Sequence, residues 1–313
     1  MGYKLAGAHV VGCCEIDPKM LALYEKNLHP AYAFQMDVRD FPKIKIIPED
    51  LRDLDILDGS PPCSAFSRIG MREKTWGIKK AFREGQKKQR LDDLFFAFID
   101  VANWLRPKIV VAENVKGLVQ GKAKGYVNEI ITRFRAIGYD LQIFDLNSAR
   151  MGVPQQRERI FFIAHRRDLQ LPPLRLSFHE PPISFGEIRS ERGKECTGTK
   201  DYYYLQHRLP TDQYVTDVQK RITGRSPGNY RAIFRDSQVP FTLTANGSFY
   251  RMCDGMLLSD EDMRNMQTFP QDYEFGDQPV QYVCGMSVPP VMMAQIADEI
   301  ITQRFGGGGR HVG

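Results

Sequence analysis

The sequence predicts an α/β fold, built on a doubly wound sheet and accompanied by a second, smaller and less regular domain. Up to residue 165, short β-rich runs alternate with stretches whose apolar residues recur at helical spacing, the pattern of a doubly wound sheet. After residue 165 the sequence is rich in proline and turns, and the alternation is lost until about Leu257. We therefore assign residues 1–165 to a first domain, completed by residues 281–313, and residues 166–280 to a second.

Five segments of the first domain are predicted to be strands and three to be helices. The strands are expected at residues 9–14, 54–57, 108–112, 141–145 and 160–164. The helices are expected at residues 18–28, 92–105 and 127–137, and a final amphipathic helix at 289–304 is expected to pack against this domain. Ligands of such sheets bind beyond the carboxyl ends of the strands, so we look for functional residues in the loops that follow them.

The composition excludes several classes of protein. The 313 residues, 42% hydrophobic and 26% charged, are typical of a soluble globular protein. The longest apolar runs are far below the roughly 20 residues that a membrane span requires, and the N-terminus lacks a secretory signal pattern. The six cysteines form no Cys-x-x-Cys pair, and the six histidines lie apart from them. We expect no membrane segment, no disulfide framework, no metal site and a cytoplasmic location.

A candidate nucleophile follows the second predicted strand. That strand runs into the sequence Asp-Gly-Ser-Pro-Pro-Cys, residues 58–63. Two prolines and a glycine fix a tight turn at the carboxyl end of the strand, so that a rigid loop presents Cys63 as a nucleophile requires. An isolated cysteine is more often a small buried core residue, but this context favours the nucleophile.

Two further polar motifs follow or precede predicted strands. The strand at 108–112 ends in Glu113-Asn-Val, and in a parallel sheet its carboxyl end lies at the same edge as Cys63, where a carboxyl group and a thiol converge. Arg157 and Arg159 precede the last strand and, two residues apart, lie on one side of an extended chain. Taken alone, Glu113 also fits a helix cap or a solvated charge, and the arginines fit a solvated basic patch.

The positive charge of the chain is concentrated in one segment. The formal net charge is +5, which by itself identifies no partner. Residues 64–90 contain nine basic and two acidic side chains, a charge of +7, which leaves the other 286 residues at −2. Because this segment directly follows Cys63, a nucleic acid is favoured as the partner over a merely solvated loop.

Taken together, these motifs resemble the DNA (cytosine-5) methyltransferase family. The Pro-Pro-Cys loop, the Glu-Asn-Val strand end, the Gln155-x-Arg157-x-Arg159 element, the Phe-Thr-Leu-Thr-Ala run at 241–245 and the Gly-Met-Ser-Val-Pro-Pro run at 285–290 occur in the family's order and spacing. The resemblance covers residues 7–300 and is interrupted by a variable segment at 166–236. It implies a Rossmann-like, S-adenosylmethionine-dependent methyltransferase sheet with a target-recognition domain at 166–280.

The resemblance also implies a reaction. The thiolate of Cys63 adds to C6 of a cytosine, Glu113 protonates or hydrogen-bonds N3, and C5 then attacks the methyl group of S-adenosylmethionine. Arg157 and Arg159 position the cytosine and its O2. Because no side chain reaches C6 inside a stacked duplex, the target base is flipped out. The implied product is a methylated cytosine within a short, specific duplex DNA sequence, as in a restriction-modification system of a bacterium or phage.

The resemblance further implies residues that bind the cofactor and the DNA. Glu15 is expected at the ribose hydroxyls, Ile16 beside the adenine and Asp37 at the adenine amine. Other cofactor-lining positions are Val38, Pro62, Leu94 and Ser287, whereas Met286 stands where the family usually has Asn. DNA contacts are expected from Ser64, Ser67, Arg68, Arg72, Lys79, Lys80 and Gln155, and target recognition from Arg189, Arg192, Lys194, Arg221, Arg225 and Arg231.

One family element is missing from the N-terminal part of the sequence. The family opens with a strand and a Phe-x-Gly-x-Gly loop that cradles the cofactor, whereas this sequence starts within the helix that follows that loop. The same pattern occurs at Phe305, Gly307 and Gly309, so a circular permutation would supply it as a cofactor-binding element from the C-terminus. The alternatives are a loop encoded upstream and a loop carried by a second chain. A position of Phe305 far from Glu15 and Asp37 would exclude the permutation.

Two other functions stay open on the sequence alone. A tRNA cytosine-5 methyltransferase has a similar fold and similar motifs, and would act on tRNA but not on duplex DNA. A non-catalytic DNA-binding subunit of a two-chain methyltransferase would account for the missing loop, but Cys63, Glu113 and the two arginines argue against it.

Overall fold

The computed structural model describes residues 1–61, 93–120, 124–225, 228 and 231–306. Its strands are β1 (Gly12–Glu15), β2 (Tyr32–Gln35), β3 (Ile56–Gly59), β4 (Ile109–Val115), β5 (Tyr139–Asn147), β6 (Glu158–Arg166), β7 (Arg231–Phe234) and β8 (Ser248–Arg251). Its α-helices are α1 (Gly2–Leu5), α2 (Pro18–Leu28), α3 (Leu94–Leu105), α4 (Lys124–Ala136), α5 (Phe185–Ile188), α6 (Asp201–Gln206), α7 (Val215–Thr223), α8 (Asp260–Gln267), α9 (Val280–Met286) and α10 (Pro290–Phe305). All five predicted strands and all four predicted helices of the sheet domain are confirmed.

The largest sheet has the strand order β3-β4-β6-β5. Strands β3 and β4 are parallel, as expected, but β6 runs antiparallel to both β4 and β5. The start of β6 therefore meets the end of β4, and Arg159 lies opposite Val115 in the register. Because of this reversal, residues that precede β6 reach the same edge of the sheet as residues that follow β3 and β4.

Helices cover both faces of this sheet, which gives the three-layer arrangement of an α/β fold. On one face Val110 and Ala112 of β4 pack with α3 and α4, in a cluster that includes Ile130 and Phe134. On the other face Ile109 and Val111 pack with α10, and this confirms the predicted docking of the last helix. Gly59 at the end of β3 permits the close approach of α3, since a Cβ there would lie 2.4 Å from the ring of Phe98.

Strands β1 and β2 form a separate parallel pair. Strand β2 was not predicted, because it has only four residues, two of them exposed. An apolar cluster holds the pair beside the larger sheet, because Cys14 and Phe34 contact the same group of side chains as Leu57 of β3. Among the described residues, no strand hydrogen-bonds to both β1 and β3.

The region after β6 has the less regular structure that its sequence predicts. Strands β7 and β8 form a short parallel pair, which packs with α6 and α7 through Leu205, Val218, Ile233 and Tyr250. A second cluster joins this pair to α8 and α9 through Phe249, Met266 and Cys284 and also includes Leu23 of α2. No helix in the described part of the chain is both long and apolar enough to span a membrane.

Candidate active site

The predicted carboxyl group and one predicted arginine meet at the end of β4. Nε of Arg159 lies 2.8 Å from Oε1 of Glu113, and the two side chains are only 14% and 13% exposed. The antiparallel pairing of β4 with β6 produces this contact, since it brings the end of one strand beside the start of the other. Partial burial weakens solvent screening, so the arginine holds the carboxyl group in a fixed orientation.

Asn114 connects this strand end to the loop that leads to Cys63. It is buried, and its side-chain nitrogen donates to the carbonyl oxygen of Pro61 at 3.1 Å. Pro61 is two residues before Cys63, which itself lies outside the described residues. Pro61 is therefore held at the Glu113 edge of the sheet. The role of Asn114 was missed, although its place in the Glu-Asn-Val triplet was a usable signal.

Arg157 has a different environment from Arg159. Its side chain is 2% exposed and donates from Nη1 to the carbonyl oxygen of Leu243 and from Nη2 to that of Gly285, both at 2.9 Å. Burial, followed by the nearby charge of Arg159, lowers its pKa. Arg157 thus joins the start of β6 to two distant family motifs, and its Nη atoms point to backbone carbonyls rather than to a substrate.

Gln155 requires a correction. The sequence analysis expected it to contact DNA, but its side chain is completely buried. Its Nε2 donates to Oε1 of Gln267 at 2.8 Å and its Oε1 accepts from the backbone of Leu243 at 2.9 Å. With both ends of its amide bonded inside the protein, Gln155 stabilises the site from behind and is not a DNA contact.

The motif at residues 285–290 packs tightly against the one at 241–245. A Cβ at Gly285 would lie 2.1 Å from the backbone nitrogen of Ala245, so only glycine permits this contact. Gln267, which the sequence analysis did not select, donates to the carbonyl oxygen of Ser287 at 2.7 Å. The Ser287 hydroxyl donates to Val283 at 2.8 Å, and the neighbouring Met286 is 46% exposed. Ser287, a predicted cofactor residue, is therefore fixed directly after the C-terminal end of α9.

The predicted adenosine-binding residues lie at the carboxyl ends of β1 and β2. Glu15 is paired in register with Gln35, so that Asp37 follows two residues beyond on the adjacent strand. Glu15 accepts a hydrogen bond from the backbone of Asp17 at 2.8 Å, and burial raises its pKa. Ile16 is 41% exposed although it is apolar. Two carboxylates beside an exposed apolar side chain fit the ribose and base of S-adenosylmethionine.

Asp37 is paired within the protein. Nη1 of Arg39 lies 2.9 Å from its carboxylate, and the same arginine bridges to Asp93 at the start of α3 at 2.5 Å. Of the other predicted cofactor residues, Val38 is partly buried in the apolar cluster that also contains Cys14 and Leu57. Leu94, in the first turn of α3, is 8% exposed. The Arg39 bridge therefore holds the end of β2 next to the start of α3.

The predicted cofactor role of Phe305 is wrong. Its ring lies 6.0 Å from Nζ of Lys108, which directly precedes β4 and follows the C-terminal end of α3. Asp37 lies at the other end of α3, whose 12 residues span about 18 Å at 1.5 Å per residue. Phe305 is thus at the opposite edge of the sheet from Asp37, which argues against a circular permutation.

Ten predicted site residues lie outside the described part of the chain. They are Pro62, Cys63, Ser64, Ser67, Arg68, Arg72, Lys79, Lys80, Gly307 and Gly309. In the described ranges, no group of three or more His, Cys, Asp or Glu side chains is placed to hold a metal ion.

Fold and site together define an α/β methyltransferase with a buried Glu-Arg pair at the end of a central strand. Residues 1–302 match the family model for the C-5 cytosine-specific DNA methylases. The chain belongs to this family, and it is an S-adenosylmethionine-dependent DNA cytosine-5 methyltransferase.

Individual relatives agree with this assignment. Type II methyltransferase M.FnuDI of Fusobacterium nucleatum is 26% identical over 302 residues, which cover 88% of this chain and 82% of the relative. Type II methyltransferase M.NgoFVII of Neisseria gonorrhoeae is 26% identical over 327 residues, covering 96% and 83%. The fold is similar to that of a DNA modification methyltransferase encoded within an E. coli prophage, with a TM-score of 0.64, 17% identity and 96% coverage of both chains.

Proposed function

We propose that this enzyme methylates a flipped-out cytosine within one short duplex DNA sequence, through a covalent bond between Cys63 and C6. The contact between Glu113 and Arg159, beside the loop that leads to Cys63, is the observation that supports this proposal most directly. It provides a carboxyl group and a cation beside the loop where a base would react.

The reaction proceeds in balanced steps. The Cys63 thiolate adds to C6, and the electron pair displaced from the C5–C6 bond makes C5 nucleophilic while Glu113 protonates or hydrogen-bonds N3. S-adenosylmethionine, when bound, supplies the electrophilic methyl group that C5 attacks. Loss of the C5 proton to a base then expels the thiolate from C6 and restores the aromatic ring.

The two arginines have separate roles in this proposal. Arg159 orients the Glu113 carboxyl group through its Nε contact, and it would hydrogen-bond O2 of the cytosine. Arg157 is a positioning residue, because its guanidinium bonds to the carbonyl oxygens of Leu243 and Gly285. Glu15, Ile16 and Asp37 hold the adenosine part of the cofactor, with Val38, Leu94 and Ser287 around it.

Residues 166–280 would select the DNA sequence, and residues 64–90 would contact phosphates. Within the second region the basic side chains divide into two groups. Arg231 is bound to Asp201 in the core and Arg221 to the buried carboxylate of Asp212, so these two stabilise the region. Arg192 and Lys194 are 75% and 50% exposed and bind only surface acids, so they can exchange those partners for phosphates.

We also propose a cytoplasmic enzyme that associates with DNA, with a role in a restriction-modification system. The position of Phe305 argues against this residue as part of the family's glycine-rich loop, and a second chain is one other source of that loop.

A trapping experiment tests the mechanism. Duplex DNA or tRNA with 5-fluorocytosine is incubated with the enzyme and S-adenosylmethionine, because fluorine at C5 cannot leave as a proton and the adduct persists. We expect a covalent complex with DNA, its loss in Cys63→Ala, and its retention in Cys253→Ala, which changes an exposed cysteine of the second region. A complex with tRNA alone would overturn the DNA assignment, and methylation of a random duplex library without sequence preference would overturn the recognition role.

A further inference from the structure

A single lysine joins three strands at the edge of the sheet that carries the candidate active site. Lys116 directly follows β4, and its Nζ lies 2.8 Å from Oδ2 of Asp145 and 2.9 Å from Oε1 of Glu158. Asp145 belongs to β5, and Glu158 is the first residue of β6. The ammonium group therefore connects three neighbouring strands, β4, β6 and β5. We call these three side chains the lysine clamp.

The lysine clamp and the contact between Glu113 and Arg159 lie on opposite faces of the sheet. Consecutive side chains of a strand point to opposite faces, and Glu158 immediately precedes Arg159. Glu158 is on the face of Ile160, which packs with α3 and α4. Arg159 is on the face of Phe161, which packs with α10. The start of β6 is therefore held from both sides.

The strand register brings the members of the clamp together. The last residue of β4 lies opposite Arg159, so that Lys116, the next residue, is beside Glu158. On the other side of β6, Asp145 lies opposite Ile160. Because directly opposite residues of paired strands share a face, both carboxylates are on the same side of the sheet. Lys116 thus reaches across the start of β6 to bind them.

The surroundings keep the lysine charged and in place. Hydrogen bonds from Nζ, to Asp145 first and then to Glu158, raise the pKa of Lys116. Its side chain is less exposed than either carboxylate, so solvent screens these contacts less than it screens a fully exposed ion pair. One cation shared between two carboxylates also forms a network, which fixes its members more firmly than an isolated surface pair does.

We propose that Lys116 is a positioning residue for methyl transfer, because its clamp holds the start of β6 where Arg159 can orient Glu113. This inference rests on the proposed role of the Glu113–Arg159 contact. A contact on one face leaves the strand end free to rotate about it, whereas contacts on both faces fix its rotation as well as its distance from β4. The clamp therefore matters for the geometry of the reacting groups.

Lys108 offers a matched control at the opposite edge of the sheet. It directly precedes β4, and its Nζ lies 2.7 Å from Asp55 and 3.7 Å from Asp53. Since each lysine binds two carboxylates, Lys116→Met and Lys108→Met should lower the urea midpoint of unfolding to a similar extent. A difference in turnover between these two variants then reports on the position of the reacting groups and not on stability.

Methylation kinetics on duplex DNA test the inference. Lys116→Met should lower kcat about 10- to 100-fold, since a displacement of about 1 Å at the reacting groups can cost about 10²-fold. KM for DNA and for S-adenosylmethionine should change by less than about twofold, because Lys116 binds neither. Lys108→Met should keep the kcat of the unchanged enzyme. Lys116→Arg should keep most of it, because a guanidinium can bind both carboxylates.

A second readout needs neither DNA nor turnover. The Nε–H of Arg159 lies against Glu113, so its NMR signal in arginine-labelled enzyme reports directly on this contact. We expect exchange of this proton with water to become at least about tenfold faster in Lys116→Met. The exchange rate should stay unchanged in Lys108→Met.

A charge exchange separates the clamp from the lysine itself. Lys116→Glu places three carboxylates together and should be the slowest variant. When it is combined with Glu158→Lys, one ammonium group again lies between two carboxylates. Turnover of the double variant should therefore be at least about tenfold higher than that of Lys116→Glu.

The results that would overturn the inference are distinct. They are full turnover in Lys116→Met, an equal loss of turnover in Lys108→Met, and no recovery in the double variant. A raised KM for DNA with unchanged kcat would also overturn it, because that result marks a phosphate contact. Glu113→Gln is measured in parallel. Loss of turnover in Glu113→Gln but not in Lys116→Met would refute the clamp alone, whereas full turnover in both would refute the proposed reaction as well.

Discussion

The two parts of the first domain's sheet differ in how firmly they hold their functional groups. In the β3-β4-β6-β5 part, Glu113 and Arg159 are mostly buried, bonded to each other and supported by tightly packed strands. In the β1-β2 part, Glu15, Ile16 and Asp37 lie at the ends of two four-residue strands that pair only with each other in the described part of the chain. The groups assigned to the base are therefore preorganised, whereas the groups assigned to the cofactor are supported by a short two-stranded pair.

The largest expected effect comes from the preorganised part. Glu113→Gln should lower kcat by about 10²- to 10⁴-fold, because the amide cannot transfer a proton to N3. Single-turnover methylation of duplex DNA measures this loss. Glu129→Gln is the matched control, since Glu129 also contacts an arginine, at 2.7 Å, but on the exposed face of α4. A Glu113→Gln enzyme with unchanged turnover would remove this residue from the reaction.

The second effect concerns the support behind the site. Arg157→Met should lower the free energy of unfolding by about 2 to 4 kcal/mol, because two buried carbonyl groups lose their donor at about 1 to 2 kcal/mol each. Urea denaturation measures the change. Arg192→Met, at a side chain that is 75% exposed, should change stability by less than about 0.5 kcal/mol. Equal stability of the two variants would contradict the structural role of Arg157.

A smaller effect is expected where the two strand ends are joined. Asn114→Ala removes the hydrogen bond to Pro61 and should cost about 1 to 2 kcal/mol of stability. It should also slow formation of the 5-fluorocytosine adduct, since the loop before Cys63 loses an anchor. Asn128→Ala on the exposed side of α4 provides the comparison. If adduct formation were unaffected while stability fell, Asn114 would support the fold alone.

The smallest effect concerns Asp58 of β3 and depends on pH. Burial raises the pKa of Asp58 to about 6 from an ordinary value of 3.8. A carboxyl group with a raised pKa in the folded state favours folding most below its unfolded pKa. Its contribution is lost as the pH rises through the folded value. Tm should therefore fall slightly between about pH 4 and pH 6 on account of this group, and Asp58→Asn should flatten that part of the profile. A profile that does not change in the variant would contradict the assignment.

The sequence predicted the elements of the sheet domain, because these follow from local patterns. The contact between Glu113 and Arg159 was not predicted, since it depends on the antiparallel direction of β6. Hydrophobic periodicity predicted both ends of each helix to within three residues. The expected parallel pairing of β3 with β4 correctly placed their carboxyl ends at one edge of the sheet. The short strand β2 was missed because its four residues alternate between half-buried and exposed, a weak signal at that length.

The roles of Arg157 and Gln155 were beyond sequence reasoning for a different reason. The partners of Arg157 are backbone carbonyls 86 and 128 residues away, at Leu243 and Gly285. Those of Gln155 are the backbone of Leu243, 88 residues away, and the side chain of Gln267, 112 residues away. Backbone carbonyls have no sequence signature, so nothing distinguished these buried side chains from exposed ones. Phe305 was selected because any run of glycines after a phenylalanine matches the family's glycine-rich pattern. The edge of the sheet at which Phe305 lies depends on how α10 packs, which the sequence pattern does not give.

The direction of β6 has a consequence for engineering. The strand starts beside Glu113 and ends at Arg166, whose backbone nitrogen donates to Lys108 at the far edge of the sheet, 3.1 Å away. Residues after β6 first pack on the sheet, where Leu174 is buried and the backbone of Glu180 donates to Arg150 at 3.1 Å, and the chain is again bonded beside β6 where Pro240 accepts a hydrogen bond from Gln156. A segment from another member grafted between residues 181 and 236 would therefore leave both anchors and the reacting groups in place, and would test whether this region selects the DNA sequence.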